Sequence, residues 1–331
     1  MCLRIIVRLG FKTQPIFLAK FDIFCYSMGV VLFYMYSQID ANKRKTFFLM
    51  AFFAVLLLAI GYFFSYYYNS LDFLIIALVI SLGMNLASYF AGDKIALMTA
   101  GAEGPLKQTD NPYVYRLVEN LAITAGLPLP KIYLIPDSFP NAFATGRDPK
   151  HATIALTTGL IESLENEELE GVIAHELSHI KNYDIRLMMV IIVLVGLVTL
   201  AVDMLWRSKF FGRKNSSEKT GGQLGGILMI VGLVLVVLSP IIAQLMQLAI
   251  SRKREFLADA DGALITRYPE GLARALEKIN AYKLPMKKAT NATAHLYLAN
   301  PFGAQAGKGL AKLFSTHPPI EERIKSLREM I

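Results

Sequence analysis

The chain has 331 residues, of which 54% are hydrophobic and only 18% charged, with a mean hydropathy of +0.43. Soluble domains carry about 25% charged residues, so an ordinary water-soluble enzyme is excluded, as is a disordered chain, whose mark is low hydrophobicity. The net charge of +8 sits in residues 1–45 and 207–219, beside apolar segments, which suits a lipid bilayer as partner and no nucleic acid.

The chain begins with an N-terminal segment, residues 1–45. Its run Ile23–Ile39 is uncharged for 17 residues, short of the roughly 20 that cross a bilayer core. A short span, a signal peptide and an upstream extension of residues 1–34 before a start at Met35 all fit that run. Cys2 and Cys25 make neither a disulfide framework nor a four-cysteine zinc site.

Residues 46–92 read as a transmembrane hairpin. Thr46–Tyr68 and Phe73–Gly92 are uncharged runs of 23 and 20 residues, with a turn at Asn69-Ser70 and Tyr66, Tyr67 and Tyr68 placed as an interfacial belt. Lys43-Arg44-Lys45 ahead of the first run puts its start on the cytoplasmic side, and the chain returns there near Asp93.

Residues 93–186 form the first part of a water-exposed domain. Lys131–Ile135 and His151–Thr157 read as short strands, with Asn141–Thr145 between them. Asn166–Asp184 reads as an amphipathic helix, with Asn166 as its cap and Glu167, Glu168 and Glu170 at its positive end. This helix carries His175-Glu176-Leu177-Ser178-His179. Residues i and i+4 share a helix face, so both imidazoles reach one metal ion while Glu176 lies alongside. Two neutral nitrogen donors suit Zn²⁺, although affinity order alone would favour copper.

A second hairpin is expected at 187–250, from Leu187–Val202 and Ile227–Ile250, whose basic connection Arg207–Gly226 runs against the positive-inside rule. Whether this pair crosses or dips, it returns the chain to the side it left. Residues 251–331 then complete the domain. That parity makes Glu255 the best third ligand, with Asp259 one turn on to accept an N–H from a ligating histidine. His317 precedes Pro318-Pro319 and a helix over Ile320–Met330, where a cap or loop role is the ordinary one.

At this point the chain resembles the membrane zinc endopeptidases of the HtpX type, peptidase family M48, related to the Ste24 CAAX-prenyl proteases. The resemblance runs from about Met35 to the C-terminus. It rests on Asp40–Thr46, Pro140–Gly146, His175–His179, Arg254–Asp259 and Ser315–Pro319. It implies that Asn141, Ala142, Phe143 and Ala144 form an edge strand over the zinc cleft, holding substrate by main-chain hydrogen bonds. It also implies that His317 stands in the active site near the oxyanion, that Arg323 orients the site, and that the family chain starts near Met35. A surface ion pair is the alternative for Arg323.

The expected fold is mainly α: four transmembrane or membrane-inserted helices plus a cytoplasmic zincin-like α+β protease domain with a small sheet. The expected function is zinc-dependent endopeptidase action on membrane proteins or peptides at the cytoplasmic face of a bacterial inner membrane, in quality control and stress response. His175, His179 and Glu255 would hold one Zn²⁺ per chain, Glu176 would be the general base, and His317 an oxyanion donor. The alternatives are a Ste24-like processing protease and a non-catalytic zinc-binding membrane protein.

Overall fold

The structure, a computed structural model, describes residues 15–193, 252–282, 284–288, 293, 296–301 and 318–330, with side chains from residue 39 onward. Two compact units are present, Met1–Ala41 and Asn42–Ile331. Of the first, residues 15–41 are helical, with side chains described for 39–41 alone.

Helix α1 spans Pro15–Tyr68 and α2 spans Asp72–Ala100. Ile39–Tyr68 and Asp72–Ala100 are long and apolar enough to cross a membrane. They also expose what a soluble core helix would hide: Phe47 is 69% exposed and Val79 64%. An apolar surface of this extent needs lipid or a partner against it. The turn between them uses Asn69 in the left-handed region (φ 49°), and Ser70 Oγ donates to Asp72 Oδ2 at 2.9 Å. Gly61 lets the two helices touch, since a Cβ there would lie 2.3 Å from that of Ala77. Rings of Phe64 and Tyr68 stack toward Phe73 across the turn.

Helix α2 runs past the expected end at Gly92, and its last turns are not lipid-like. Ala96, Leu97 and Ala100 are buried with Ile135, Phe139, Phe143, Met188 and Ile192. Helix α3 (Pro112–Ala125) follows, with the Asn111 side chain accepting from Val114 N and Pro112 in its first turn. Strands β1 (Lys131–Ile135), β2 (Ala142–Gly146) and β3 (Ala152–Thr157) form a sheet of order β1-β3-β2. β1 runs parallel to β3, Lys131 opposite Thr153, and β2 antiparallel, Ala142 opposite Leu156.

Alternation along these strands feeds two cores. Ile132, Ala142, Ala144, Ile154 and Leu156 face the domain interior. Ile135, Phe143 and Ala155 face the cluster that contains the end of α2. The sheet therefore lies between the larger core and the foot of the apolar hairpin.

Helix α4 (Thr158–Ser163) leads into α5 (Asn166–Lys181), which carries the two-histidine motif. Its cap is Glu165, not Asn166: Glu165 and Glu168 close a capping box, with Glu165 N donating to Glu168 Oε2 at 2.9 Å. Asn166 is the first helical residue, and its amide is spent on Glu170 and the Tyr113 hydroxyl. Residues 184–193 are helical and 187–193 are buried. The rest of the expected second hairpin, and its basic connection, lie outside the described residues.

Helices α6 (Arg252–Thr266), α7 (Pro269–Ala281) and α8 (Ile320–Arg328) complete the description. α6 lies hard against α5 at Gly262, where a Cβ would stand 3.1 Å from His175 N. This close crossing brings Glu255 and Asp259 onto the histidine face of α5.

Candidate metal centre

His175 and His179 sit one turn apart on α5, buried, with their rings edge to face at 4.7 Å between centroids. Each ring is held from behind by a carboxylate. His175 Nδ1 is 2.9 Å from Asp259 Oδ1, and His179 Nδ1 is 3.0 Å from Asp184 Oδ2. A proton on each Nδ1 makes both bonds and leaves both Nε2 lone pairs facing forward. These nitrogens are 3.2 Å apart. Two lone pairs at that distance repel unless a cation, a proton or a metal ion, lies between them.

Glu255 closes the triangle. Its Oε2 is 3.8 Å from His175 Nε2 and its Oε1 3.7 Å from His179 Nε2. Three ligands of a tetrahedral ion with bonds of about 2.0–2.2 Å stand about 3.3–3.6 Å from one another. Each histidine faces a different Glu255 oxygen at 3.7–3.8 Å, close to that spacing, and one donor atom from each residue lies within 4.8 Å of the others. Two imidazoles with one carboxylate suit such an ion.

Electrostatics agree with a cation-binding site. Burial drives the His175 pKa down to about 4, against the pull of Asp259. Burial also opposes charge on His179, but its hydrogen bond to Asp184 and the charge of Glu255 outweigh it and raise the pKa to about 9. Burial opposes ionisation of Asp259, yet the Arg323 charge holds its carboxyl at about 2. Arg323 is fully buried and grips Asp259 with two bonds, Nε to Oδ2 at 2.8 Å and Nη2 to Oδ1 at 2.6 Å. Its Nη1 lies 3.8 Å from Glu255 Oε2. The surface ion pair, the alternative for this residue, is not what the fold makes. Glu176 is buried on α5 beside His175, and its charge acts on both His179 and Arg323.

The expected edge strand is shorter than its four residues. Asn141 precedes β2, and its backbone exchanges bonds with Thr157. Its side chain pairs with the Ala299 backbone, donating at 3.0 Å and accepting at 3.2 Å. Ala142 O accepts from Leu298 N at 3.1 Å. The backbone of Phe143 turns toward β3 in this register, and its ring packs edge to face on Tyr297 at 5.3 Å. Of the four residues, Ala144 alone keeps outward backbone groups with no partner among the described residues. The signal for this closure is tertiary, a loop 158 positions away, and nothing local announces it.

Asp184 is the site residue that motif reading misses. It follows the C-terminal turn of α5, where Tyr183 adopts a left-handed conformation (φ 59°) that swings the next residue back under His179. An acidic residue five positions after the second histidine is the available clue. His317 and His295 lie outside the described residues. His151 is exposed and bonds Asp148 at 2.8 Å, a local loop contact.

The family model described as Peptidase family M48 matches residues 108–331. The chain belongs to peptidase family M48. It is 45% identical over 298 residues to a Protease HtpX homolog of Thermoanaerobacter pseudethanolicus, covering 89% of this chain and 98% of that one. A Protease HtpX homolog of Dictyoglomus thermophilum is also 45% identical, over 299 residues (90% and 95%), and one of Syntrophobacter fumaroxidans 49% over 260 (78% and 89%). Among solved structures, that of S. mikatae Ste24p is similar at 21% identity and a TM-score of 0.46. That match covers 88% of this chain and 66% of that one. As an M48 peptidase of the HtpX type the chain is a metalloprotease, and its two apolar helices suit a membrane protein.

Proposed function

We propose that this chain is a zinc endopeptidase of the bacterial inner membrane, with its active site at the cytoplasmic surface, cleaving membrane proteins or their exposed loops in quality control and stress. The observation that carries the hydrolytic part is the facing pair of Nε2 atoms, 3.2 Å apart, with Glu255 completing the donor triangle. Lys43-Arg44-Lys45 ahead of the first apolar run supports the cytoplasmic orientation.

His175, His179 and Glu255 would hold one Zn²⁺, which supplies Lewis acidity and a water of near-neutral pKa. Glu176, beside His175, would serve as the general base, taking a proton from the attacking water and passing it to the leaving amine. Asp259 and Asp184 keep the two imidazoles in the tautomer that points Nε2 at the ion. Arg323 anchors Asp259. The outward edge at Ala144 pairs with the substrate backbone, which binds extended peptide with little regard to side chains. His317 donates to the developing oxyanion.

Metal analysis of the full chain, with peptide cleavage by parent and Glu176→Gln, tests this reading. The expected result is one zinc per chain in both and cleavage in the parent alone. Parent-level cleavage by the variant would remove Glu176 from the mechanism.

A further inference from the structure

The sequence Asp40–Thr46 ahead of the first apolar run has no part in the hydrolytic mechanism, yet its Asn42 is buried to 1% exposure. An apolar residue would pack a helix foot at less cost, since a buried amide must recover its lost hydration through hydrogen bonds. Asn42 recovers it completely. Its Nδ2 donates to Asp184 Oδ1 at 2.7 Å and to Asn182 O at 3.0 Å. Its Oδ1 accepts from Arg254 Nη1 at 3.3 Å. The same Arg254 nitrogen donates to Asp184 Oδ1 at 3.1 Å.

These contacts share one geometric result. Asn182 O belongs to the C-terminal turn of α5, so the amide pins the reversal through Tyr183. Asp184 Oδ1 is fixed by Asn42 and Arg254, which leaves Oδ2 aimed at His179 Nδ1, 3.0 Å away. A carboxylate gripped on one oxygen presents the other at a set angle, and outer partners of this kind orient a metal ligand.

We propose that Asn42, at the head of the first apolar helix, is a positioning residue for the metal centre, fixing Asp184 and through it His179. The inference rests on the zinc reading given above. It makes the membrane helix part of the frame of the site, so that a shift at the foot of α1 is felt as a change in metal affinity.

The test measures zinc affinity of the full chain by chelator competition, alongside the unfolding temperature of the metal-free protein. Variants are Asn42→Ala and Asn42→Asp, with Arg44→Gln as an exposed control two residues on. Asn42→Asp keeps the shape but sets a second buried carboxylate against Asp184, so it removes the donated bonds and adds repulsion, whereas Asn42→Ala removes them without added charge. Both Asn42 variants should bind zinc about 10–100-fold more weakly, a loss that does not track their fall in metal-free unfolding temperature, with Arg44→Gln like the parent. Parent-like zinc affinity in the Asn42 variants overturns the proposal. So does an affinity loss that simply follows the metal-free unfolding temperature across the variants, which would make Asn42 a folding residue. A parent chain that binds no zinc would instead overturn the zinc reading itself.

Discussion

The two imidazoles of the site stand on different foundations. His175 is backed by Asp259 and Arg323, on α6 and α8, and its support is a buried ion pair with two short bonds. His179 is backed by Asp184, itself held by Arg254 and by Asn42 from the apolar helix α1. One side is built within the family domain and the other borrows a residue that precedes it, since the matched region begins at residue 108. On the proposed reading, a metallopeptidase domain is tied to an apolar helix through the outer partner of a candidate ligand, while His175, His179 and Glu255 all stay outside the two apolar helices.

The strongest way to break this picture is to remove the ligand both sides share. Glu255→Ala should empty the metal site, because three protein groups are the usual minimum for catalytic zinc. Metal analysis of the purified variant checks it, and full retention would place the third ligand elsewhere.

His317 lies outside the described residues and enters as the proposed oxyanion donor. His317→Ala should lower turnover by about 10²–10³-fold while zinc content stays at one per chain. Zinc loss in that variant would make it a ligand, and normal cleavage would return it to a turn-forming role.

The two backing carboxylates sharpen the comparison directly. Asp259→Asn and Asp184→Asn should each weaken zinc binding by about 10–100-fold. Asp259→Asn should destabilise the metal-free fold more, because it breaks a two-bond grip on the fully buried Arg323, a loss of roughly 3–5 kcal/mol, whereas Asp184→Asn loosens a single 3.1 Å contact to the buried Arg254. Urea unfolding with chelator present separates the two effects. Equal destabilisation by both variants would erase the difference drawn here.

The smallest effects distinguish the expected caps from the real ones. Asn111→Ala should cost about 1 kcal/mol, whereas Asn166→Ala should cost only a few tenths, the scale of an i,i+4 side-chain pair. Thermal unfolding of the two variants measures it.

The part of the site written in one helix was legible in the sequence. His175 and His179 declare themselves through i,i+4 spacing, while Glu255 rests on an expected second apolar pair, most of which lies outside the described residues, and the structure brings it within reach of both histidines. Strands β1 and β3 showed in their short apolar, β-branched runs, whereas β2, AFATG, was expected only from the family resemblance. What sequence reading lost was assembled by distant chain. Asp184 is brought under His179 by a left-handed turn, and Asn42 arrives from 142 residues away. The edge at Asn141 and Ala142 is closed by Leu298 and Ala299, a contact with no local pattern. The cap of α5 was misplaced by one residue because Asn is the commoner cap, while Glu165 wins through its reciprocal pair with Glu168.

Zinc K-edge absorption of the full chain and of His179→Ala tests the central claim most directly. The account predicts two imidazole nitrogens with oxygen ligands at about 2.0–2.2 Å in the parent, and one imidazole fewer in whatever zinc the variant retains. An unchanged imidazole count in the variant, or zinc bound to cysteine sulfur in the parent, would contradict it.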